Sequence, residues 1–121
     1  MTEPIAVVGM GCLFPEAATP DAFWDNLLQG RDCTSEMTAE RMGLDPLLLY
    51  APTKGVADRY YNLRGGFIRD FQFDPTGYRL PPALLAGLDV QFQWSLYAAR
   101  EALRDTHTAD TVEPTRRGLI L

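Results

Sequence analysis

The chain is poor in the residues that most often do chemistry: 121 residues hold two cysteines, Cys12 and Cys33, and one histidine, His107. A structural zinc site wants four N or S ligands, and three such residues far apart in sequence do not supply them. Two cysteines allow a disulfide, but thiols stay reduced in a cytosolic setting, so free thiols are expected. Basic charge is scarce too. Eleven Lys and Arg stand against sixteen Asp and Glu, a net charge of −5. Phosphate binding needs clustered cations, and the only basic pair, Arg116-Arg117, makes no patch, so no nucleic-acid partner is expected. No run approaches the ~20 apolar residues that cross a bilayer. The N-terminus also lacks the basic, apolar, small-residue order of a secretory signal. No membrane span and a cytoplasmic location are expected.

What is present is a globular composition, 46% apolar and 22% charged, at a length suited to one domain. Ile5-Ala6-Val7-Val8 is a continuous β-branched run closed by Gly9, the pattern of a strand buried on both faces. Thr19-Pro20-Asp21 predicts a helix start: a hydroxyl cap, a proline where no N–H is needed, and a carboxylate at the positive helix end. Phe23 with Leu27 and Trp24 with Leu28 form its apolar stripe, and Gly30 is placed to end it in a left-handed cap. Residues 31–61 read as a long surface excursion with helical turns near Thr38–Met42 and Pro46–Tyr50. Structureless stretches of such length are uncommon and often functional or interfacial. Gly65-Gly66 reads as a turn into a short strand at Phe67-Ile68, and Asp74-Pro75 as a turn among Phe71, Phe73 and Tyr78. From Asp89, "DVQFQWSLYAAREALRDT" predicts a long helix, apolar around most of its circumference and therefore part of a core. After Pro114, Gly118-Leu119-Ile120-Leu121 reads as the start of a strand. That abrupt apolar end suggests a piece of a longer protein, and a chain that self-associates by exchanging strands.

Gly9 and Gly11 raise the question of a dinucleotide-binding turn. That fingerprint needs a third glycine for close helix packing and a helix N-terminus for the pyrophosphate. Phe14 occupies the third position and Pro15 follows, so no nucleotide is expected and the glycines are read as a sharp turn after a buried strand. His107 has no partner nucleophile in view and reads as a solvated residue past a helix end. Cys12 and Cys33 lack a His, Lys or Arg at a spacing that would activate them, although Arg31 is close to Cys33 in sequence. Glu40-Arg41, Arg100-Glu101 and Arg104-Asp105 read as solvated surface. On the residues alone, no catalytic constellation is visible.

Taken in order, however, the segments resemble a known family. "EPIAVVGMGCLFPEAATPDAFWDNLLQGRDCTSEMTAERM" is similar to the opening of β-ketoacyl synthase (ketosynthase) domains of polyketide and related fatty-acid synthases. The likeness continues through Arg64-Gly65-Gly66-Phe67, Phe73-Asp74, Leu80-Pro81, Leu88-Asp89, Gln91 and Glu101-Ala102-Leu103 to Gly118. Departures are Leu88-Asp89-Val90-Gln91-Phe92-Gln93-Trp94 where the family usually reads M-D-P-Q-Q-R-L, and Met42 where it usually has tryptophan. With "YRLPP" at Tyr78–Pro82, these look more like polyunsaturated-fatty-acid or glycolipid-type synthases than common modular polyketide lines.

The resemblance implies an α/β, thiolase-like fold of α-β-α-β-α layers. Residues 1–121 would be the beginning of its first half, with a loop-rich excursion at about 31–88. It implies decarboxylative Claisen condensation of acyl and malonyl-type thioesters held on the phosphopantetheine of an acyl carrier protein, in a homodimer. The family's nucleophile lies in a T-A-C-S-S motif, and its histidines come later. This sequence holds neither, so no catalytic, cofactor-binding or metal residue is assigned to it. Cys12 matches a common family cysteine that is not the nucleophile, and His107 matches no catalytic histidine. The remainder of the ketosynthase domain is then an expected partner. The alternative is a non-catalytic scaffold of chain-length-factor type, or a piece completed by another chain.

Overall fold

The computed structural model describes residues 4–106 and 118. His107, Arg116, Arg117 and the Leu119-Ile120-Leu121 run lie outside the described residues. The elements are α1 (Pro20–Leu28), β1 (Ser35–Glu36), α2 (Ala39–Met42), a 3₁₀ turn (Pro46–Leu49), β2 (Arg64–Gly65), α3 (Pro82–Ala86) and α4 (Val90–Asp105).

Helix α1 starts and stops as its sequence predicts. Thr19 Oγ1 accepts the Ala22 N–H at 3.2 Å, and Pro20 sits in the first turn. Gly30 takes φ 60°. There the Gly30 N–H reaches the Leu27 carbonyl at 3.1 Å and the Arg31 N–H reaches that of Asn26 at 2.9 Å, the paired closure of a Schellman cap. The apolar stripe does not find cover: Trp24 is 59% exposed and Leu28 68%, and the residue that α1 buries is Asn26. Its Nδ2 donates to the Glu16 carbonyl at 3.2 Å, so the buried amide keeps a partner.

Among the described residues the Ile5–Val8 run pairs with no strand. Ile5 is 99% exposed and Val7 83%. A strand exists only with a ladder partner, and among the described residues the one ladder is β1 with β2, antiparallel, Ser35 opposite Gly65 and Glu36 opposite Arg64. Accordingly β2 lies at Arg64–Gly65, ahead of the Phe67-Ile68 position expected from sequence. Arg64 fastens the ladder with its guanidinium, which donates to Asp32 Oδ2 and Thr34 Oγ1, both at 2.8 Å.

Helix α4 spans 16 residues and is the spine of the described structure. Asp89 caps it, accepting the Gln91 N–H at 2.9 Å. Gln93 Nε2 donates to the Leu85 and Ala86 carbonyls, satisfying the C-terminal end of α3, whose Leu85 is fully buried. One turn on, the Tyr97 hydroxyl donates to the Ala18 carbonyl at 2.8 Å, and its ring meets Phe71 edge-on at 4.8 Å. The Arg100 guanidinium lies over the Tyr78 ring and donates to the Asp74 carbonyl at 3.1 Å, pinning the Asp74-Pro75 turn. Against expectation, α4 buries no residue completely, and Phe92 and Leu103 are more than half exposed. The helix has its predicted ends and apolar girth, but the described residues cover only part of it.

Candidate functional site

Gly9 and Gly11 belong to an extended segment laid against α4. Neither takes a left-handed φ. Their role is close approach: a side-chain carbon on Gly9 would collide with the Ala102 carbonyl oxygen, and one on Gly11 with the Ala98 carbonyl oxygen. The Met10 N–H between them donates to Asp105 Oδ2 at 2.8 Å. The glycines therefore do not make the sharp turn expected of them. The space that a phosphate would need above them is filled by α4 backbone, with a carboxylate already on the Met10 amide. The reversal comes later, at Phe14-Pro15-Glu16-Ala17, where Phe14 and Ala17 exchange N–H···O bonds of 2.8 and 3.0 Å. Pro15 at the second position and Glu16 at φ 57° follow a type II pattern.

Between this segment and α1 lies an open, largely apolar groove of about 680 Å³, lined by Met10, Cys12, Phe14, Phe23, Trp24 and Ala102 among others. Phe14 and Phe23 in its lining have ring centroids 4.7 Å apart. Cys12 is half-buried, and burial pushes its thiol up from the ordinary value, the opposite of what activates a nucleophile. Cys33, also a free thiol, directs Sγ at the Arg31 carbonyl at 3.8 Å. The Arg31 guanidinium turns instead to Glu16 Oε2 at 2.7 Å, and Arg69 joins the same carboxylate at 3.4 Å. The proximity of Arg31 to Cys33 in sequence thus does not become an ion pair.

A second groove of about 640 Å³ crosses the excursion between Glu36, Asp45, Leu47, Tyr50, Tyr61 and Arg64. Nearby, Asp32 is held below the usual carboxylate range by the Thr34 hydroxyl and amide, with Arg64 adding to the effect. Asp74 is lowered in the same way by Thr76. Burial raises the phenols of Tyr78 and Tyr97. These shifts come from turn hydrogen bonds and packing. Among the described residues no three His, Cys, Asp or Glu side chains gather as a metal site would require. The sequence reading missed the Gly9 and Gly11 contact with α4, although a signal was present: Ala98 and Ala102, four apart, give that helix face two small residues.

A sequence profile described as "Beta-ketoacyl synthase, N-terminal domain" matches residues 2–121. The chain belongs to the β-ketoacyl synthase N-terminal domain family. This ketosynthase piece is 38% identical over 122 residues to the spectinabilin polyketide synthase system protein NorC of Streptomyces orinoci, covering 98% of the chain and 5% of that protein. It is 40% identical over 103 residues to the mycoketide-CoA synthase of Mycobacterium tuberculosis, covering 84% of the chain and 2% of that protein. A solved structure titled "PfaC Keto synthase-Chain length factor" superposes with a TM-score of 0.77 at 48% identity, over 85% of the chain and 11% of that structure's chain. The chain thus spans a small fraction of the relatives it matches. It is an N-terminal ketosynthase segment of thiolase-like fold. No helix among the described residues is long and apolar enough to cross a membrane.

Proposed function

We propose that this chain is the N-terminal portion of a β-ketoacyl synthase whose whole protein joins an acyl thioester to a malonyl-type extender by decarboxylative Claisen condensation. The observation that carries the reading is the family match over residues 2–121 together with 48% identity to a keto synthase–chain length factor structure. In that reaction a cysteine thiolate takes the acyl group and releases the carrier thiol. The extender then loses CO₂, its enolate carbon attacks the acyl carbonyl, and the cysteine leaves as thiolate. The nucleophile and the histidines that stabilise the developing oxyanions would come from other parts of the protein.

The described residues supply architecture to that chemistry. Helix α4, the segment across Gly9 and Gly11, and the excursion at about 31–88 would form the start of the first half of an α-β-α-β-α stack. The substrates would arrive on the phosphopantetheine of an acyl carrier protein, and the whole protein would act as a cytoplasmic homodimer. The chain itself would bind no cofactor.

The similarity to a keto synthase–chain length factor supports a second reading, a segment of the non-catalytic partner type. One experiment separates the two. The whole protein is treated with a mass-tagged acyl thioester and mapped by peptide mass spectrometry. A label on a cysteine outside residues 1–121 is the expected result. A protein that takes no label, yet binds a separate acylating ketosynthase, establishes the second reading. A label on Cys12 or Cys33 overturns both.

A further inference from the structure

The β1–β2 ladder leaves the outer side of β1 without a strand among the described residues. In an antiparallel pair, residues that exchange main-chain bonds alternate with residues that do not. The Met37 N–H donates to the Leu63 carbonyl at 2.8 Å, so Ser35 and Gly65 are the next bonded pair and Glu36 stands opposite Arg64 without one. The N–H and C=O of Glu36 therefore point outward from β1. On the same edge the Thr34 N–H is taken by Asp32 and the Thr38 carbonyl by Met42. The Thr34 carbonyl and the Thr38 N–H have no hydrogen bond among the described residues, so a short row of main-chain groups stays open around Glu36.

That edge borders the open groove of about 640 Å³. Side chains opposite each other or two apart in a ladder share a face, and Glu36, Asn62 and Arg64 all line the groove, which places it on the Glu36 face. Its apolar walls include Leu47 and Tyr61, both more than half exposed. Its uncompensated charge is negative. The Arg64 guanidinium turns to Asp32 and Thr34 rather than to Glu36 opposite it, and the Glu36 carboxylate has no hydrogen bond or ion pair among the described residues. Asp45 adds a second carboxylate, which accepts the Leu47 N–H at 3.0 Å and has no ion pair there either. The Lys54 ammonium lies 5.6 Å from the Tyr61 ring centroid, so an aromatic side chain of this groove already accepts a cation.

A peptide strand added to the open edge sets the residue that pairs with Glu36 on the groove face, together with the residues two positions to either side. A basic side chain at the central position meets a carboxylate that has no other partner, and apolar side chains beside it meet the walls. We propose that β1 and this groove form a docking site for an extended segment of another protein, of the pattern apolar-x-Lys/Arg-x-apolar, which adds a strand beside Glu36. The chain's own net charge of −5 disfavours a second copy as the occupant. The site is independent of whether the whole protein condenses acyl groups, and its test reads binding rather than activity.

Binding is measured on the whole protein by fluorescence anisotropy with a labelled, capped heptapeptide, S-V-T-K-T-V-S. The expected result is saturable binding with a Kd below about 1 mM. Glutamate in place of the central lysine is expected to weaken it at least about tenfold and norleucine about threefold. In a Glu36→Gln protein the lysine and norleucine peptides should bind alike. N-methylation of the central lysine, whose N–H would meet the Glu36 carbonyl, should abolish binding, whereas N-methylation of the next threonine, whose N–H faces away, should leave it.

No saturable binding up to about 1 mM overturns the proposal. Equal affinity for the lysine, norleucine and glutamate peptides does so too, as do equal effects of the two methylations. A lysine preference that survives Glu36→Gln puts the cation elsewhere and overturns it. Affinity that falls as the protein concentration rises makes a second copy the occupant, against the proposal. The peptide substitutions leave the protein untouched, so they decide even where Glu36→Gln fails to fold.

Discussion

Single side chains decide how the N-terminal segment meets α4. A methyl group at Gly11 would enter the space of the Ala98 carbonyl and the Ala102 amide, backbone atoms that cannot rotate away. Gly11→Ala is therefore expected to lower stability by about 1–3 kcal/mol, the usual range for overpacking, read as a lower urea midpoint and faster exchange at Met10. Cys12 is expected to react slowly. Burial raises its pKa, less thiolate exists at neutral pH, and iodoacetamide at pH 7.5 should alkylate it more slowly than a cysteine in a short peptide. Asp32 gives a pH dependence of definite sign. Its folded pKa is depressed, chiefly by the Thr34 hydroxyl and then by the Thr34 amide. The contribution is thus present above the ordinary aspartate value of about 3.9 and is lost as pH falls through the folded pKa below it. An NMR titration should place the Asp32 midpoint below the ordinary value, and Thr34→Val should move it upward.

At the scale of elements, local chemistry set boundaries and tertiary contacts set roles. Helix α1 was legible because its signals are local: Thr19, Pro20 and Gly30 act within one turn of the helix they delimit. Thr19→Ala is expected to remove about 1 kcal/mol of helix stability, measurable as lower helicity in circular dichroism and faster exchange at Ala22. Helix α4 was legible for the same reason, from its Asp89 cap to the absence of Gly or Pro up to Asp105. The β1–β2 ladder was not. Its two-residue strands are joined across a long excursion, and their pairing leaves no period in the sequence. Arg100 was read as solvated surface, yet its guanidinium lies between Tyr78, Tyr97 and the Asp74 carbonyl. That contact depends on a turn more than twenty residues away in the chain.

Across the molecule, the described residues bury little apolar surface of their own. Ala17, Leu85 and Pro46 are the buried apolar residues among them, while Ile5, Val7, Trp24, Leu28, Leu47 and Phe92 are more than half exposed. A protein of this size normally removes well over half its surface from water. The isolated 121-residue chain is therefore expected to bind a hydrophobic dye such as ANS and to unfold with a shallower denaturant slope than its length would give. A sharp transition without dye binding would show that the exposed runs find cover. Sequence alone determined the ends of α1 and α4, the turn at Asp74 and the family, because caps, turn residues and motif order act over a few neighbouring residues. Tertiary structure alone decided that Gly9 and Gly11 serve close approach rather than a turn, that Arg31 pairs with Glu16 rather than Cys33, and that no described residue covers Ile5. Each of these depends on which distant backbone or charge arrives at a residue, and no local pattern encodes that arrival.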